Sequence, residues 1–239
     1  MAKHRSRRKN QDIQLIWEEG AHSIAAEAYR TLRTNIALSQ VDNPLRTLLV
    51  TSCIPREGKS TTVANLGVTF ALAQQKVLII DADLRRPILH RLFGIPNSQG
   101  LTHMLSDAVK YDQIFTPTKI ANLWLVTCGI IPPNPSELLG SQKMRTFLER
   151  VQEQFDLVLL DSPPISSLAD ASVLGSIVDG VLFIVKANMA SRDIIEKAKD
   201  QLETVGANII GVVLNDVDIK RDGYYRYYYY YNYEYYGSK

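Results

Sequence analysis

The chain has 239 residues, of which 46% are hydrophobic and 22% are charged, and its formal net charge is +2. This length and composition are typical of one large globular α/β domain whose core needs no disulfide or metal to hold it together. The small net charge argues against a nucleic-acid-binding protein, and apolar runs such as 180–185 are far too short to span a membrane.

The chain begins with a basic segment, residues 1–20, that we predict to be a flexible arm. Its cations are Lys3, Arg5, Arg7, Arg8 and Lys9. Such a run forms either a solvated arm or a weak electrostatic contact with an anionic membrane surface or an acidic partner. The sequence that follows, QDIQLIWEEG, is not apolar enough for the hydrophobic region of a signal peptide.

The spacing of apolar residues predicts an amphipathic helix over 23–38. The same segment contains the pattern ExxRxxR, formed by Glu27, Arg30 and Arg33. From the residues alone this pattern predicts a local i,i+3 ion pair, which contributes only about 0.2–0.5 kcal/mol to a helix.

A predicted strand over 48–51 leads into a phosphate-binding loop. Residues 52–61 read SCIPREGKST and open a predicted helix over 60–74, which is the context that a Walker A motif requires. Backbone N–H groups and the helix N-terminus would bind phosphate, Lys59 would neutralise its charge, and the Ser60 hydroxyl would face Mg²⁺. The strict pattern has glycine where this chain has Cys53, which we interpret as a tolerated small residue. The predicted nucleotide-binding residues are Cys53, Pro55, Arg56, Glu57, Gly58, Lys59, Ser60 and Thr61.

Two later strands are predicted to end in carboxylates. The strand over 77–80 leads into Asp81 and Asp83, and the strand over 157–160 leads into Asp161, as a Walker B aspartate does. Residues i and i+2 of a strand share a face, so Asp81 and Asp83 can face one ligand, and two like charges in one place imply a cation such as Mg²⁺. The structural alternative for this pair is a solvated acidic turn.

The remaining predicted strands lie at 123–127, 181–185 and 209–214, with a helix over 190–205. Nearly continuous apolar runs indicate strands that are covered on both faces, and alternating strands and helices predict an α/β fold with a mainly parallel sheet and helices on both sides. The two cysteines, Cys53 and Cys128, stand beside predicted functional segments, and a reducing cytosol fits them better than a disulfide does.

The last twenty residues, 220–239, have no aliphatic core residues, and we predict a disordered tail. Ten of the twelve tyrosines lie here: Tyr224, Tyr225, Tyr227, Tyr228, Tyr229, Tyr230, Tyr231, Tyr233, Tyr235 and Tyr236. A sticky aromatic tract and a base-stacking tract for single-stranded RNA are alternatives, but the tail has few cations for nucleic acid. In a chain with a phosphotransferase site, a cluster of phosphate acceptors is the preferred interpretation.

Taken together, these motifs resemble those of the bacterial tyrosine kinases of capsule and exopolysaccharide systems. The matching segments are the irregular Walker A at 52–61, a DxDxR motif at 81–85, the Walker B strand at 157–161, PPNPSELL at 132–139, the ExxRxxR helix and the tyrosine tail. Arg56 departs from the family pattern, which often has glycine there. The resemblance implies a P-loop kinase domain over 21–219 and an ATP-dependent protein-tyrosine kinase.

The resemblance also implies roles for individual residues. Asp81 would accept or orient the phenolic proton, and Lys59 would neutralise phosphate charge. Asp83 and Asp161 would position Mg²⁺ with Ser60 as a direct ligand, and Arg85 would steady the phosphate or the loop. Glu27, Arg30 and Arg33 would join subunits into a ring-like homo-oligomer, in which the tail of one chain reaches the site of another.

The partners implied by the resemblance are a membrane-embedded activator or chain-length regulator and a cognate protein-tyrosine phosphatase. The kinase would be cytoplasmic and recruited to the inner face of the plasma membrane through its partner. Two alternatives stay open: a partition or septum-positioning ATPase switch of the same fold, and a nucleotide-gated scaffold without kinase activity. The switch ATPases have a signature lysine at the position of Ile54.

Overall fold

A computed structural model of the protein describes residues 15–16, 23–39, 44–167 and 169–218. The strands are β1 (Thr47–Ser52), β2 (Val77–Asp81), β3 (Thr116–Pro117), β4 (Leu123–Val126), β5 (Leu157–Asp161), β6 (Gly180–Lys186) and β7 (Ile209–Asn215). The longer helices are α1 (Ile24–Ser39), α2 (Lys59–Leu72), α6 (Gln142–Gln152) and α8 (Arg192–Thr204). Short helices are α3 (Leu89–Leu92), α4 (Leu101–Leu105), α5 (Pro135–Leu139) and α7 (Asp170–Gly175), with 3-10 turns at Tyr111–Gln113 and Ile165–Ser167.

The seven strands of the described residues form one sheet in the order β3-β4-β2-β5-β1-β6-β7. Every pairing is parallel except that of β3 with β4 at one edge. The chain crosses from β1 to β2 on one side and from β5 to β6 on the other, so the loops diverge between β1 and β5, where α/β sheets bind ligands. The predicted fold class, a mainly parallel sheet with helices on both faces, is confirmed.

Helices cover both faces of the sheet, and the central strands are therefore buried along their whole length. On one face, Ile36 of α1 and Leu66 and Phe70 of α2 pack against Leu48 and Ile79. On the other face, the apolar sides of α6, α7 and α8 pack against β1, β2 and β6 through residues such as Phe147, Leu174, Leu202 and Phe183. This two-sided burial explains the continuous apolar runs of β1, β2 and β5.

The structure changes the picture of the N-terminal segment. Leu15 and Ile16 belong to the predicted arm, yet they are buried against the α1 and α2 side of the core, and the Ile16 N–H donates to Asn65 Oδ1 at 2.9 Å. Packing against the domain therefore begins before residue 21. The basic cluster and the tyrosine tail lie outside the described residues. Within the part of the chain that is described, no helix has the length and apolarity needed to cross a bilayer.

Candidate active site

The phosphate loop connects β1, in the middle of the sheet, to the N-terminus of α2. Gly58 precedes the helix with φ of 97°, a left-handed conformation that favours glycine. A Cβ at this position would lie 2.1 Å from Asn215 Nδ2. The chain therefore needs glycine here for its backbone angle, and a Cβ would also displace the Asn215 side chain from its hydrogen bond to the Glu57 carbonyl.

Glu57 holds the loop in shape from within the protein. Its side chain is fully buried, and its carboxylate accepts the N–H of Ile54 at 2.8 Å and the N–H of Lys186 at 3.2 Å. The Asn215 amide donates to the Glu57 carbonyl at 2.8 Å. Glu57 is one of the predicted nucleotide-binding residues, and both of its carboxylate oxygens are hydrogen-bonded within the protein. Its role as a clamp, and that of Asn215, could not be read from the loop motif.

The other loop residues divide by exposure. Cys53 and Lys59 are buried, Ser60 and Thr61 are partly buried, and Pro55 and Arg56 are exposed. Arg56 also has a positive φ of 70°, a backbone conformation that favours glycine.

The predicted carboxylates of β2 and β5 meet beside the loop. Asp81 and Asp161 are register partners on adjacent parallel strands, and Asp161 is also the register partner of Val50 in β1. Both side chains are fully buried. Asp81 Oδ2 accepts the N–H of Leu89 at 3.1 Å. Among the described residues, Asp81 Oδ1 and both carboxylate oxygens of Asp161 have no hydrogen bond of normal geometry.

Burial dominates the electrostatics of this pair. Burial, then the charges of Asp161 and Asp83, raises the pKa of Asp81 well above its usual range, although the N–H groups of Leu89 and Ile88 oppose the shift. Burial also raises the pKa of Asp161 to about 7, against the opposing effects of Lys59 and Ser60. Two buried carboxyl groups with raised pKa values are a frequent mark of a functional site.

Asp83 and Arg85 lie just beyond β2. Asp83 Oδ1 accepts the N–H groups of Arg85 at 3.3 Å and Arg86 at 3.0 Å. The Arg85 guanidinium contacts the buried Asp170 through Nε at 2.8 Å and Nη2 at 3.2 Å. Asp170 was not among the predicted site residues. Its only signal in the sequence was a carboxylate at the start of a short helix.

The carboxylate oxygens fit a bound Mg²⁺. Unpartnered, buried oxygens are hard donors, and they stand beside a loop built for phosphate. The described residues contain no group of three or more His, Cys, Asp or Glu side chains that could hold a metal ion by itself. In the usual protein site for Mg²⁺, one or two carboxylates share the ion with substrate phosphates and water.

The two cysteines are free and buried. Burial, then the charge of Glu57, raises the pKa of Cys53 to about 12, and burial, then the charges of Asp81 and Asp83, raises that of Cys128 to about 12. Both are therefore protonated at neutral pH. Since the thiolate is the reactive form, neither side chain is suited to act as a nucleophile.

The predicted interface residues lie on α1, on the α2 side of the sheet. Glu27 and Arg30 form an exposed i,i+3 ion pair, while Arg33 Nη1 donates to the Thr69 carbonyl of α2 at 3.2 Å. Arg33 thus joins α1 to its own domain. The predicted phosphate-accepting tyrosines all lie outside the described residues.

The sheet order, the glycine-containing loop before α2 and the adjacent strand-end carboxylates define a P-loop NTPase. A family model described as ParA, NUBPL iron-transfer P-loop NTPase, matches residues 45–224. Tyrosine-protein kinase YwqD of Bacillus subtilis is 37% identical over 228 residues, which cover 95% of each chain. Tyrosine-protein kinase Etk of Escherichia coli K12 is 33% identical over 91% of this chain, but over only 30% of its own.

Solved structures agree with these relatives. The crystal structure of the chimerical protein CapA2B2 matches with a TM-score of 0.82 at 35% identity, covering 85% of this chain and 89% of that one. The chain therefore belongs to the bacterial tyrosine-protein kinases, a branch of the ParA-like P-loop fold. It is a nucleotide-binding protein-tyrosine kinase.

Proposed function

We propose that the protein transfers the γ-phosphoryl group of Mg·ATP to tyrosines of its own C-terminal tail, in trans within a homo-oligomer. The proposal rests on one observation: Asp81 and Asp161 are buried register partners with unpartnered oxygens, and Asp161 lies on the strand directly beside β1, which leads into Lys59 and Ser60. Asp83, Asp161 and the Ser60 hydroxyl would hold Mg²⁺, which supplies charge neutralisation on the phosphates.

Asp81 would orient the tyrosine hydroxyl and take its proton. An unperturbed aspartate, with a pKa near ~3.9, is a poor base toward a phenol near ~10. Burial beside Asp161 raises the pKa of Asp81 and so narrows this mismatch. Proton loss is late in phosphoryl transfer, so orientation of the hydroxyl contributes more than basicity does. Lys59, at the first position of α2, would hold the β- and γ-phosphates against the helix N-terminus.

Incubation with Mg·ATP, followed by mapping of phosphate by mass spectrometry, tests this function. Lys59→Ala should abolish tyrosine phosphorylation. Asp81→Asn should lower turnover by about 100-fold or more while leaving ATP binding near that of the wild type, since general-base contributions are typically 10²–10⁴-fold. Asp112→Asn, at an exposed carboxylate of the Tyr111–Gln113 turn, is the matched control. Wild-type autophosphorylation by Asp81→Asn would refute the catalytic role.

The same assay separates the remaining interpretations. A partition-type switch would hydrolyse ATP without labelling tyrosine, and a scaffold would bind ATP without turnover. Transfer in trans predicts that an active chain lacking Tyr224–Lys239 phosphorylates a full-length Lys59→Ala chain. Label on the intact wild type but none on the Lys59→Ala acceptor would place the transfer within one chain.

We further propose that this activity regulates capsular or exopolysaccharide synthesis. The kinase would act at the inner face of the plasma membrane, bound to a membrane-embedded activator. A cognate protein-tyrosine phosphatase would remove the phosphate from its tyrosines. The similarity to a chimerical relative, CapA2B2, supports the expectation of a protein partner. Nucleic acid is not expected as a partner. Two measurements test the recruitment. A membrane protein should co-purify with the full chain, and the chain should leave the membrane fraction when that membrane protein is deleted.

A further inference from the structure

A fully buried carboxylate outside the nucleotide loop connects three separate segments of the chain. Asp170, the first residue of α7, accepts Arg85 Nε on Oδ2 and Arg85 Nη2 on Oδ1. The Ser136 hydroxyl of α5 donates to Asp170 Oδ1, and it also lies 3.4 Å from Arg85 Nη2. The loop after β2, helix α5 and helix α7 therefore meet at one charged node, which we call the Asp170 node.

The node is joined to the site through the main chain of Arg85. The N–H groups of Arg85 and Arg86 are the donors that hold Asp83 Oδ1. A few residues further along, the N–H of Leu89 holds Asp81 Oδ2. The loop that the Arg85 side chain anchors is thus the one whose backbone orients Asp83 and, through Leu89, Asp81. Movement of the guanidinium would change the position of these donors.

The geometry of the Arg85–Asp170 ion pair is better suited to orienting the loop after β2 than to stabilising the fold. The Asp170 side chain is 0% exposed while that of Arg85 is 37% exposed, so a buried charge is balanced by a half-buried one. Replacing buried ion pairs by apolar residues is often neutral or stabilising, which makes them weak evidence for stability. The two-pronged contact through Nε and Nη2 fixes the plane of the guanidinium, and lysine cannot reproduce it.

We propose that Asp170 is a positioning residue of the kinase: by anchoring Arg85, it fixes the loop whose N–H groups aim Asp83 at the metal–nucleotide complex. Ser136 completes the node. We propose the same role for Arg85, through its main chain and its anchored side chain; the resemblance to the kinase family predicts a catalytic role for it. The inference rests on the proposed role of Asp83 toward Mg²⁺.

The test is the Mg²⁺ dependence of nucleotide binding, measured with a fluorescent ATP analogue on the full chain. Asp170→Asn keeps the shape of the side chain and removes its charge. It should raise the Mg²⁺ concentration for half-maximal binding by about 10- to 100-fold, the usual effect of removing a partner that orients a metal ligand. Affinity for the analogue in EDTA should change less than twofold. Asp107→Asn, which breaks the exposed pair with Lys143, is the matched control and should leave both values unchanged.

Milder variants keep the test informative if Asp170→Asn does not fold. Arg85→Lys retains the charge without the fork and should shift the Mg²⁺ dependence in the same direction, and Ser136→Ala should shift it less. A lower melting temperature with an unchanged Mg²⁺ dependence in the variants that fold would overturn the proposal. The Asp170 node would then stabilise the fold without orienting Asp83. Because binding is the readout, this outcome is separate from failure of the kinase function, which would appear as absence of tyrosine phosphate in the wild-type chain.

Discussion

The buried carboxylates of this domain differ in how fully the protein satisfies their oxygens with hydrogen bonds. Glu57 and Asp170 are completely buried, and their oxygens are satisfied by N–H groups, a guanidinium or a hydroxyl of the protein. Asp161 is equally buried, yet within the described part of the chain neither of its oxygens has a hydrogen bond of normal geometry. An unsatisfied buried polar group is costly in an apoprotein. The satisfied carboxylates hold loops, and we infer that Asp161 is kept for a ligand.

The raised pKa of Asp161 predicts how the nucleotide-free protein responds to pH. The folded chain keeps the proton up to a pH of about 7, whereas the unfolded chain releases it near the ordinary aspartate pKa of 3.8. Between these values the folded state binds more protons, so the free energy of unfolding should fall as pH rises through this window. One pKa unit corresponds to about 1.4 kcal/mol, so the loss is on the order of a few kcal/mol.

Asp161→Asn should therefore flatten the fall in stability, which denaturant titrations in EDTA between pH 4 and 8 would measure. Asp81 contributes in the same sense, because its pKa is also raised, and should leave a residual slope in the variant. Burial lowers the pKa of His90, which acts in the opposite sense in both proteins and cancels in their difference. Parallel pH profiles for wild type and Asp161→Asn would contradict the assignment.

At the scale of elements, the long ones were predictable and the short ones were not. The predicted strand over 157–160 and helix over 60–74 agree with β5 (Leu157–Asp161) and α2 (Lys59–Leu72) within two residues. A strand that is buried on both faces is apolar at nearly every position, so it appears in the sequence as a continuous apolar run. Strand β3 has two residues, and α3, α4 and α5 have four or five, too few for a periodic pattern to be recognised.

The site was predictable only where its residues belong to local motifs. The loop at 52–61 and the strand-end aspartates could be placed because each motif is continuous in the sequence. The contacts that hold them are not local: Arg85 meets Asp170 across 85 positions, and Asn215 meets Glu57 across 158. Such pairings depend on which strands become neighbours in the sheet, and no short pattern contains that information.

Helix α1 offers a test of the predicted interface. Changing Glu27, Arg30 and Arg33 together to alanine should shift unphosphorylated protein from an oligomer toward monomer, as measured by light scattering. The cost to the fold should be small, because the exposed Glu27–Arg30 pair contributes about 0.2–0.5 kcal/mol and the Arg33–Thr69 hydrogen bond about 0.5–1.5 kcal/mol.

A second exposed ion pair provides the control for this helix. Arg192 and Glu196 of α8 are spaced i,i+4, and alanine at both positions removes similar surface charge elsewhere on the domain. This double variant should keep the mass of the wild type. An unchanged mass for the α1 variant, or a monomer before any substitution, would contradict the predicted interface. Glu27, Arg30 and Arg33 would then make only contacts within their own domain.

For the whole molecule, we expect the charge of the predicted tail to connect catalysis to assembly. The segment Lys220–Lys239 has four cationic and two anionic side chains, so it is nearly neutral before modification. Each phosphotyrosine adds roughly −1.5 to −2 charges at neutral pH, so four modified tyrosines outweigh every cation in the segment. A modified tail should then be repelled from a neighbour's site, which contains Asp81, Asp83 and Asp161 and binds anionic ATP. Tails gathered around a ring should also repel one another.

We therefore expect phosphorylation to disperse the oligomer, and the dispersal to weaken at high salt, where the screening length falls from about 10 Å at 0.1 M to about 3 Å at 1 M. The measurement is the mass of the assembly before and after Mg·ATP, at both salt concentrations. A chain lacking Tyr224–Lys239 should still bind Mg·ATP, because β7 and the loop clamp at Asn215 end before the deletion. It should also stay assembled after ATP is added. If the intact, heavily phosphorylated protein remains assembled at low salt, charge repulsion does not control assembly, whatever the fate of the kinase assignment.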